Sequence, residues 1–398
     1  MNVGENMKIL MINSVCGTGS TGRICTDLYA ELKKEGHQCK VAYGRNQAMH
    51  IDEADAIKIG TDFDTKCHGV ISRITDKHGF YSKKATQAFI TQIEEYDPDI
   101  IHLHNIHGYY MNVEVLFNYL KDSHKKVIWT LHDCWSFTGH GAYIQTAGEE
   151  VSEDYYYCGS KKKYPASYLM NNAKNNFARK KELFTSLDEL DIITPSKWLA
   201  DLVRQSYLKD YHIQVINNGI DSAKFNNEVT VTKAKYNFGD KKIVLGVAAV
   251  WETHKGIEDF LELAQLLPED YQIVLVGKMG KQSLPTNITH ISHTDSVEEL
   301  AELYSLAEVF VNPTHLDNYP TVNLEALACG TPVLAYQTGG GSYESAYLDQ
   351  SDGIVEGDVK EIYRRIQNQD YRNQLTNRYD ISKERMIQEY LELYKSKL

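Results

Sequence analysis

The stretch VNPTHLDNYPTVNLEALACGTPVLAYQTGGGSYE, residues 311–344, decides how the chain is read. It continues an apolar run, Ala307 to Val311, that fits a buried strand. A loop with Pro313, Asp317, Asn318 and Pro320 follows, then a helical pattern carried by Val322, Leu324, Leu327 and Ala328. Gly330 stands where a helix takes its left-handed stop, with Pro332 just beyond. Val333 to Ala335 reads as the next strand, and Gly339-Gly340-Gly341 as the next loop. A strand–loop–helix–strand unit of this kind belongs to an open parallel sheet, whose ligands gather at the carboxyl ends of its strands. Asp317 and Glu325 lie eight residues apart, one in the loop and one inside the helix. Free N–H groups at a helix start suit an anion, and a carboxylate one turn further in can accept two hydrogen bonds from a polyol.

This layout resembles the retaining GT-B glycosyltransferases of glycosyltransferase family 4. Their hallmark is two glutamates separated by seven residues, then E-A-x-A-x-G-x-P-V and a T-G-G turn. Glu325-Ala326-Leu327-Ala328-Cys329-Gly330-Thr331-Pro332-Val333 matches the second part fully, whereas Asp317 replaces the first glutamate and is one methylene shorter.

At 398 residues the chain suits two α/β domains rather than one small core. A net charge of −12 and a pI near 5.7 argue against nucleic acid as a partner. Seven cysteines without a C-x-x-C pair read as reduced cytoplasmic thiols. Neither a secretory signal nor a run of about 18 apolar residues is visible.

From the N-terminus, Lys8 to Ile12 reads as a first strand running into a turn with Gly17, Gly19 and Gly22. Ile24, Leu28 and Leu32 then recur at helical spacing, with a strand at Cys39 to Ala42. Strand, glycine turn and helix make a phosphate cradle. The second strand ends at Gly44-Arg45 without the acid that a nicotinamide dinucleotide needs. In the resembling transferases a loop at this place lies under the donor diphosphate and beside the acceptor. Residues 46–95 carry little signal.

Ile100 to His104 reads as a buried strand. His102, His104 and His107 are clustered, but no cysteine or acid adds a zinc spacing, so no metal is expected. His104 and His107 fit a sugar- or phosphate-facing loop, and His102 a core or surface position. Val127 to Trp135 is the next strand and its exit, carrying His132 and Asp133. The strings H-N-I-H-G-Y-Y and W-T-L-H-D-C-W narrow the resemblance to the branch that builds bacterial surface polysaccharides of the colanic acid and capsule kind. That resemblance puts His132 near the donor sugar, while Asp133 equally suits a structural His–Asp pair.

Residues 153–181 interleave basic residues and tyrosines, with no acid from Lys161 to Lys181. Lys161, Lys162, Lys163, Arg179, Lys180 and Lys181, with Tyr164 and Tyr168, suit contact with anionic lipid headgroups, although a charge run is more commonly a solvated helix.

Asn218-Gly219-Ile220-Asp221 with Phe225 resembles the family's interdomain hinge. Beyond it, strand Ile243 to Ala249 leads to Lys255-Gly256 and a helix from Ile257. The resemblance makes Lys255 the diphosphate lysine. The arginine usual in the family several residues earlier is missing, since Ala249, Val250 and Trp251 occupy that zone. The apolar pattern Met386, Ile387, Tyr390, Leu391 and Tyr394 is a last helix, which in the resembling fold crosses back to the first domain.

The expected fold is therefore α/β of the GT-B type. Two Rossmann-like domains, residues 1–217 (with the returning helix 378–398) and 218–377, face each other across a cleft. The expected reaction moves a sugar from a nucleotide sugar to a hydroxyl of a growing glycan, with retention and without a metal or cofactor. A UDP-sugar is favoured and a GDP-sugar also fits. Catalytic roles fall to His132, Asp317 and Lys255. Donor contacts fall to Glu325, Asn318, Tyr319, Pro320, Thr321, Gly17, Gly19 and Gly22, and the acceptor side to His104, His107 and Asp133. The acceptor is a glycan, free or lipid-linked, and the expected location is the cytoplasm, including its membrane face. A non-catalytic GT-B partner subunit and a sugar-nucleotide epimerase are the alternatives.

Overall fold

The computed structural model describes residues 6–144, 164–227, 238–281, 283–337, 342–347, 354–370 and 379–397. The glycine triplet 339–341 and Lys161 to Lys163 lie outside the described residues. The chain divides into two compact units, Met1–Asn217 with Ile387–Leu398, and Asn218–Met386.

In the first unit, strands and helices alternate: β1 (Lys8–Asn13), α1 (Gly19–Lys34), β2 (Gln38–Tyr43), β3 (Ala56–Lys58), α2 (Asp62–Thr75), α3 (Lys83–Tyr96), β4 (Ile100–Leu103), α4 (Val113–Ser123), β5 (Lys126–Thr130), α5 (Ala173–Phe184), β6 (Asp191–Thr194), α6 (Lys197–Gln205) and β7 (His212–Val215). The strands form one parallel sheet in the order β3-β2-β1-β4-β5-β6-β7. Helices cover both faces of such a sheet, so its inner strands are apolar throughout rather than alternating. Ile9, Leu10, Met11 and Ile12 of β1 and Ile100, Ile101 and Leu103 of β4 are fully buried.

The second unit repeats the plan with β8 (Lys242–Trp251), α7 (Ile257–Leu266), β9 (Tyr271–Met279), β10 (Ile288–Ile291), α8 (Val297–Leu306), β11 (Val309–Asn312), α9 (Thr321–Ala328), β12 (Val333–Ala335), α10 (Ser342–Tyr347) and α11 (Val359–Asn368). Its parallel sheet runs β10-β9-β8-β11-β12. Separate apolar clusters, one around Phe260 and Tyr336 and one around Tyr304 and Phe310, pad the two faces of this sheet. The ends of the unit are clasped: Ile220 bridges to Ser382, and Lys383 Nζ meets Asp221 Oδ2 at 2.7 Å.

The uninformative region 46–95 holds β3, α2 and α3. A capping box opens α2, with Thr61 and Asp64 each satisfying the other's backbone N–H. Its apolar residues lie on one side, and most of that side is exposed. α1 starts at Gly19, before its first apolar residue, because Thr18 is already extended and Gly19 can take φ +65°.

Lys180 corrects one expectation. It is buried, donates to the carbonyls of Trp135 (2.8 Å) and Thr138 (3.2 Å), and lies 3.5 Å from the Trp135 ring centroid. It is a structural cation, not one available to a headgroup. Arg179 pairs with Glu114 at 2.9 Å.

The chain ends in α12 (Lys383–Lys395), whose second half belongs to the first unit. There Tyr394 Oη meets His102 Nδ1 at 2.6 Å, His102 Nε2 meets Thr130 Oγ1 at 2.8 Å, and Tyr390 Oη meets Thr130 Oγ1 at 3.0 Å. His102 is thus a core histidine joining β4, β5 and α12. Tyr394→Phe strands a buried ring nitrogen and should cost about 1–3 kcal/mol. Thermal unfolding should show a melting temperature lower by about 2–4 °C per kcal/mol; an unchanged melting curve would remove this network from the stability account.

Candidate active site

In an open parallel sheet, neighbouring crossovers leave in opposite directions at one point, and the loops that part there form a crevice. In the first unit that point lies between β1 and β4, and in the second between β8 and β11. The side chains singled out from the sequence belong largely to the loops that follow these strands.

In the first unit the β1 loop is closed by Gly17 N–H donating to Gly22 O at 3.0 Å. A Cβ on Gly17 would sit 2.2 Å from the Met49 carbonyl oxygen, so glycine is required for close backbone approach. Thr18 Oγ1 is buried at the start of α1 without a partner among the described residues, and the first turn holds no acid. A helix start of this kind favours an anion.

The loops after β4 and β5 bring histidines together. His104 Nδ1 and His132 Nε2 are 3.0 Å apart with stacked rings. His107 Nε2 meets Asp133 Oδ2 at 2.8 Å and His107 Nδ1 meets Tyr164 Oη at 3.1 Å, while Trp135 N–H holds the other Asp133 oxygen at 2.9 Å. Burial drives His132 down to about 4 and His104 well below the usual histidine range. Partial burial of Asp133 opposes its charge, yet His107 and the Trp135 amide hold it below the usual carboxylate range.

Around this pair stand groups with no sequence signal. His78 is buried, accepts from Gly108 N–H at 3.3 Å, and packs on Tyr109 and Trp135. Arg73 lies 5.1 Å from the Tyr109 ring centroid, and Arg45 borders Gly108. Gly108 at φ +117° and Tyr109 at φ +70° make the turn itself unusual, since a tyrosine rarely adopts that region.

In the second unit β8 leads to a short turn, Thr253–Lys255, and then to Gly256 at φ +75°. A Cβ on Gly256 would lie 2.3 Å from the Pro313 carbonyl oxygen, so the β8 and β11 loops touch backbone to backbone. His315 N–H and Thr314 Oγ1 both donate to His254 O, at 2.9 and 3.1 Å. Across this junction Lys255 Nζ meets Asp317 Oδ2 at 2.5 Å, and Asp317 Oδ1 accepts from Asn318 N–H at 2.9 Å. Asn218 Nδ2 donates to Tyr319 O at 3.2 Å. Thr321 begins α9 behind Pro320, again with no acid in the first turn. Glu325 is buried in α9 and accepts from Tyr304 Oη at 3.0 Å. Asn323 binds Asn312, Ser342 and Ser345, tying α9 to β11 and α10.

Comparisons with known proteins agree with this architecture. The model described as Glycosyltransferase Family 4 matches residues 21–224, slightly more than half of the chain, and the model described as Glycosyl transferases group 1 matches residues 228–367. The chain belongs to glycosyltransferase family 4. A protein of Escherichia coli K12 named as a colanic acid biosynthesis glycosyl transferase, WcaC, is 24% identical over 83% of each chain. An N,N'-diacetylbacillosaminyl-diphospho-undecaprenol alpha-1,3-N-acetylgalactosaminyltransferase of Campylobacter jejuni is 31% identical over 34% of this chain and 39% of its own. Among solved structures, sucrose-phosphate synthase from Thermosynechococcus elongatus superposes with TM-score 0.71 at 18% identity, covering 98% of this chain and 99% of that one. HepE of Anabaena, in complex with UDP-glucose, gives 0.65 at 14%, covering 98% and 100%. The transferase has the GT-B fold and is a hexosyltransferase.

Within the first unit, the structure brings His104 to His132 and His107 to Asp133, and it sets Gly17, Gly19 and Gly22 at the start of α1. Within the second, it brings Lys255 to Asp317 and places Asn318 to Thr321 at the start of α9. Glu325 lies deeper in that helix, against Tyr304. Among the described residues no group of three or more histidine, cysteine or acidic side chains could hold a metal ion.

Sequence reading passed over His315. Its ring is held between Asp259 (3.0 Å) and Glu356 (2.7 Å), and Tyr336 Oη donates to the other Asp259 oxygen at 2.6 Å. The Asp259 bond above all raises His315 to about 9. Its position two residues before Asp317, in a loop read for its acids, was the available signal.

The two sets of histidines give opposite pH responses. His315 has a folded pKa of about 9 against an ordinary 6.5, so its stabilisation is complete below 6.5 and is lost as pH rises through 9. His68 and His102, near 3, and His132, near 4, are neutral in the fold and withdraw stability as pH falls below 6.5. Urea midpoints should decline on both sides, and His315→Gln should flatten only the alkaline limb. An alkaline limb unchanged in that variant would refute the assignment.

Proposed function

We infer that the transferase moves a hexosyl group from a nucleoside diphosphate sugar, UDP-linked by preference, to a hydroxyl of a growing surface glycan, with retention and without a metal. The Lys255–Asp317 pair at the start of α9 carries this reading. It sets a lysine and an acid side by side at a helix N-terminus, where a diphosphate and a sugar need opposite partners. An arriving diphosphate competes for the lysine as a point charge, and Asp317 then turns its oxygens to sugar hydroxyls.

In the reaction the bond from sugar C1 to the diphosphate oxygen breaks, and a bond from C1 to the acceptor oxygen forms as that hydroxyl gives up its proton. Negative charge builds on the leaving oxygen. Lys255 and the N–H groups around Tyr319 to Thr321 serve to neutralise it. Glu325 holds the ribose through the carboxylate capacity that Tyr304 leaves. His132, kept neutral, binds a sugar hydroxyl without placing a cation beside a centre that itself becomes positive. His104, His107 and Asp133 serve the acceptor.

The named roles of two relatives support the glycan class. One is named for colanic acid biosynthesis and the other for an acceptor on diphospho-undecaprenol. A lipid-linked acceptor made at the inner membrane face follows from that reading. Among the described residues no helix is long and apolar enough to cross a membrane.

Turnover of a UDP-sugar by the purified chain with a glycan acceptor tests the reaction, and excludes a role as mere partner subunit. Glu325→Gln retains an acceptor for Tyr304 while removing the charge; it should cost roughly 2–4 kcal/mol in kcat/KM. Equal kinetics in a folded variant would end the ribose role. Lys255→Ala should weaken UDP more than uridine, because only UDP carries the charge the lysine meets. Asp317→Asn should leave UDP binding intact or tighter, since it releases Lys255, and should slow transfer. Equal losses of UDP and uridine, or weaker UDP binding in Asp317→Asn, would contradict the exchange of partners.

A further inference from the structure

Seven of the thirteen exposed large apolar side chains among the described residues fall in two short segments of the first unit. Four lie on α2: Phe63, Val70, Ile71 and Ile74, with half-buried Cys67 between them. Their spacing, 63, 67, 70, 71 and 74, is that of one helical face. The other three are Tyr168, Leu169 and Met170. Tyr168 N–H donates to Arg73 O at 2.8 Å and Met170 N–H to Ile74 O at 3.0 Å, so this segment is fixed against the end of α2. Leu169 is 75% exposed and Phe63 73%, and an exposed apolar patch of this kind marks an interaction site.

Charge identifies the occupant. The whole chain carries −12, yet residues 61–93 and 164–181 together hold nine lysines and arginines and three acids. Lys180 is buried and Arg179 pairs with Glu114, which leaves seven cations. Of the acids, Asp76 is buried and bonded to His140 and to Asn172 N–H, Asp62 pairs with Lys58, and Asp64 caps α2. Lys66 sits on α2 itself and Lys77 just beyond its end. An outward apolar stripe edged by cations, with a tyrosine beside it, matches the interface of an anionic bilayer. A second copy of the chain matches less well, because lysine is depleted from stable protein interfaces.

We propose that α2 and the 168–170 segment dock the transferase on an anionic lipid surface, deepening the reading of a lipid-borne acceptor and resting on it for purpose only. The same helix turns its other side inward. His68 meets Ser82 Oγ at 2.8 Å and accepts from Gly79 N–H, and Arg73 stacks on Tyr109 beside His78 and His107. One helix therefore borders both the lipid-facing stripe and the histidine-lined sheet edge. An acceptor with its anchor in the membrane and its sugar at the histidines would cross only the width of α2.

Co-sedimentation of the full chain with phosphatidylglycerol or phosphatidylcholine vesicles tests this. The protein should bind phosphatidylglycerol vesicles at low salt and less at higher salt as screening grows. Val70→Glu/Ile74→Glu should lower the bound fraction by about tenfold, and Lys66→Glu/Lys77→Glu should remove the preference for anionic lipid. These side chains are at the surface, so circular dichroism should confirm that each variant is folded. Absence of wild-type binding at low salt, or equal binding by Val70→Glu/Ile74→Glu, would overturn the proposal. So would a wild-type dimer in sedimentation equilibrium that the same substitutions dissociate. Transfer to a short soluble acceptor without vesicles reads the enzymatic reading separately, so either can fail alone.

Discussion

A parallel sheet covered by helices on both faces has no free surface for chemistry. Its strands must be apolar along most of their length, as β1, β4, β8 and β11 are, with His102 of β4 bonded inside the core, so polar function is pushed to the strand ends. At the amino ends the backbone leads in from helix C-termini, whose dipoles repel anions. At the carboxyl ends it leads into helix N-termini, which attract them. Both units follow this constraint. The β1 loop feeds α1, the β11 loop feeds α9, and neither helix has an acid in its first turn. That missing acid matters, because a carboxylate there would take the N–H groups that a phosphate requires.

Close backbone contact keeps these loops rigid. Gly17 against Met49 and Gly256 against Pro313 admit no Cβ, so each loop is registered to a neighbouring segment by atoms that cannot adjust. His315 adds an electrostatic tie in the second unit. Held cationic between Asp259 and Glu356, it anchors the loop whose next residues but one is Asp317. Asp317 is shorter than the glutamate usual at this position, and it meets Lys255 directly.

The parts of this arrangement that were legible in the sequence are those governed by local rules. Continuous apolar runs gave away β1, β4, β5, β8 and β11, and the string from Glu325 to Val333 marked α9, its stop and β12. The glycine spacing marked the turn between β1 and α1, although α1 begins inside it at Gly19. What was not legible depends on partners distant in the chain. The sequence alone gives Lys255 and Asp317 separate ligand contacts, and only folding bonds them across 62 residues. His78, Arg73 and His315 belong to no motif; each acquires meaning from what packs against it. Lys180 is the sharpest case. By composition it belonged to a basic run, yet two carbonyls and an indole face draw it into the core. A charge run states how many cations there are, not which way each one points.

α2 was unreadable for a related reason. Amphipathic periodicity is normally interpreted by assuming that the apolar side faces inward, and here that assumption fails. The inward side of α2 is built from small and polar residues, Gly69, Ser72 and His68, which fit closely against Tyr109 and the histidine cluster. Its apolar residues point to solvent. An inward face of this kind can approach a neighbouring ring closely, and a Cβ at Gly69 would meet the Arg73 guanidinium at 2.9 Å. The inversion therefore places a cation and a tyrosine beside the sheet edge while the aliphatic side chains remain outside. An outward apolar face gains nothing from folding in water, where burial is the main stabilising term. Its cost is offset only when another apolar phase covers it, and that makes α2 the part of the first unit whose composition answers to binding rather than to folding.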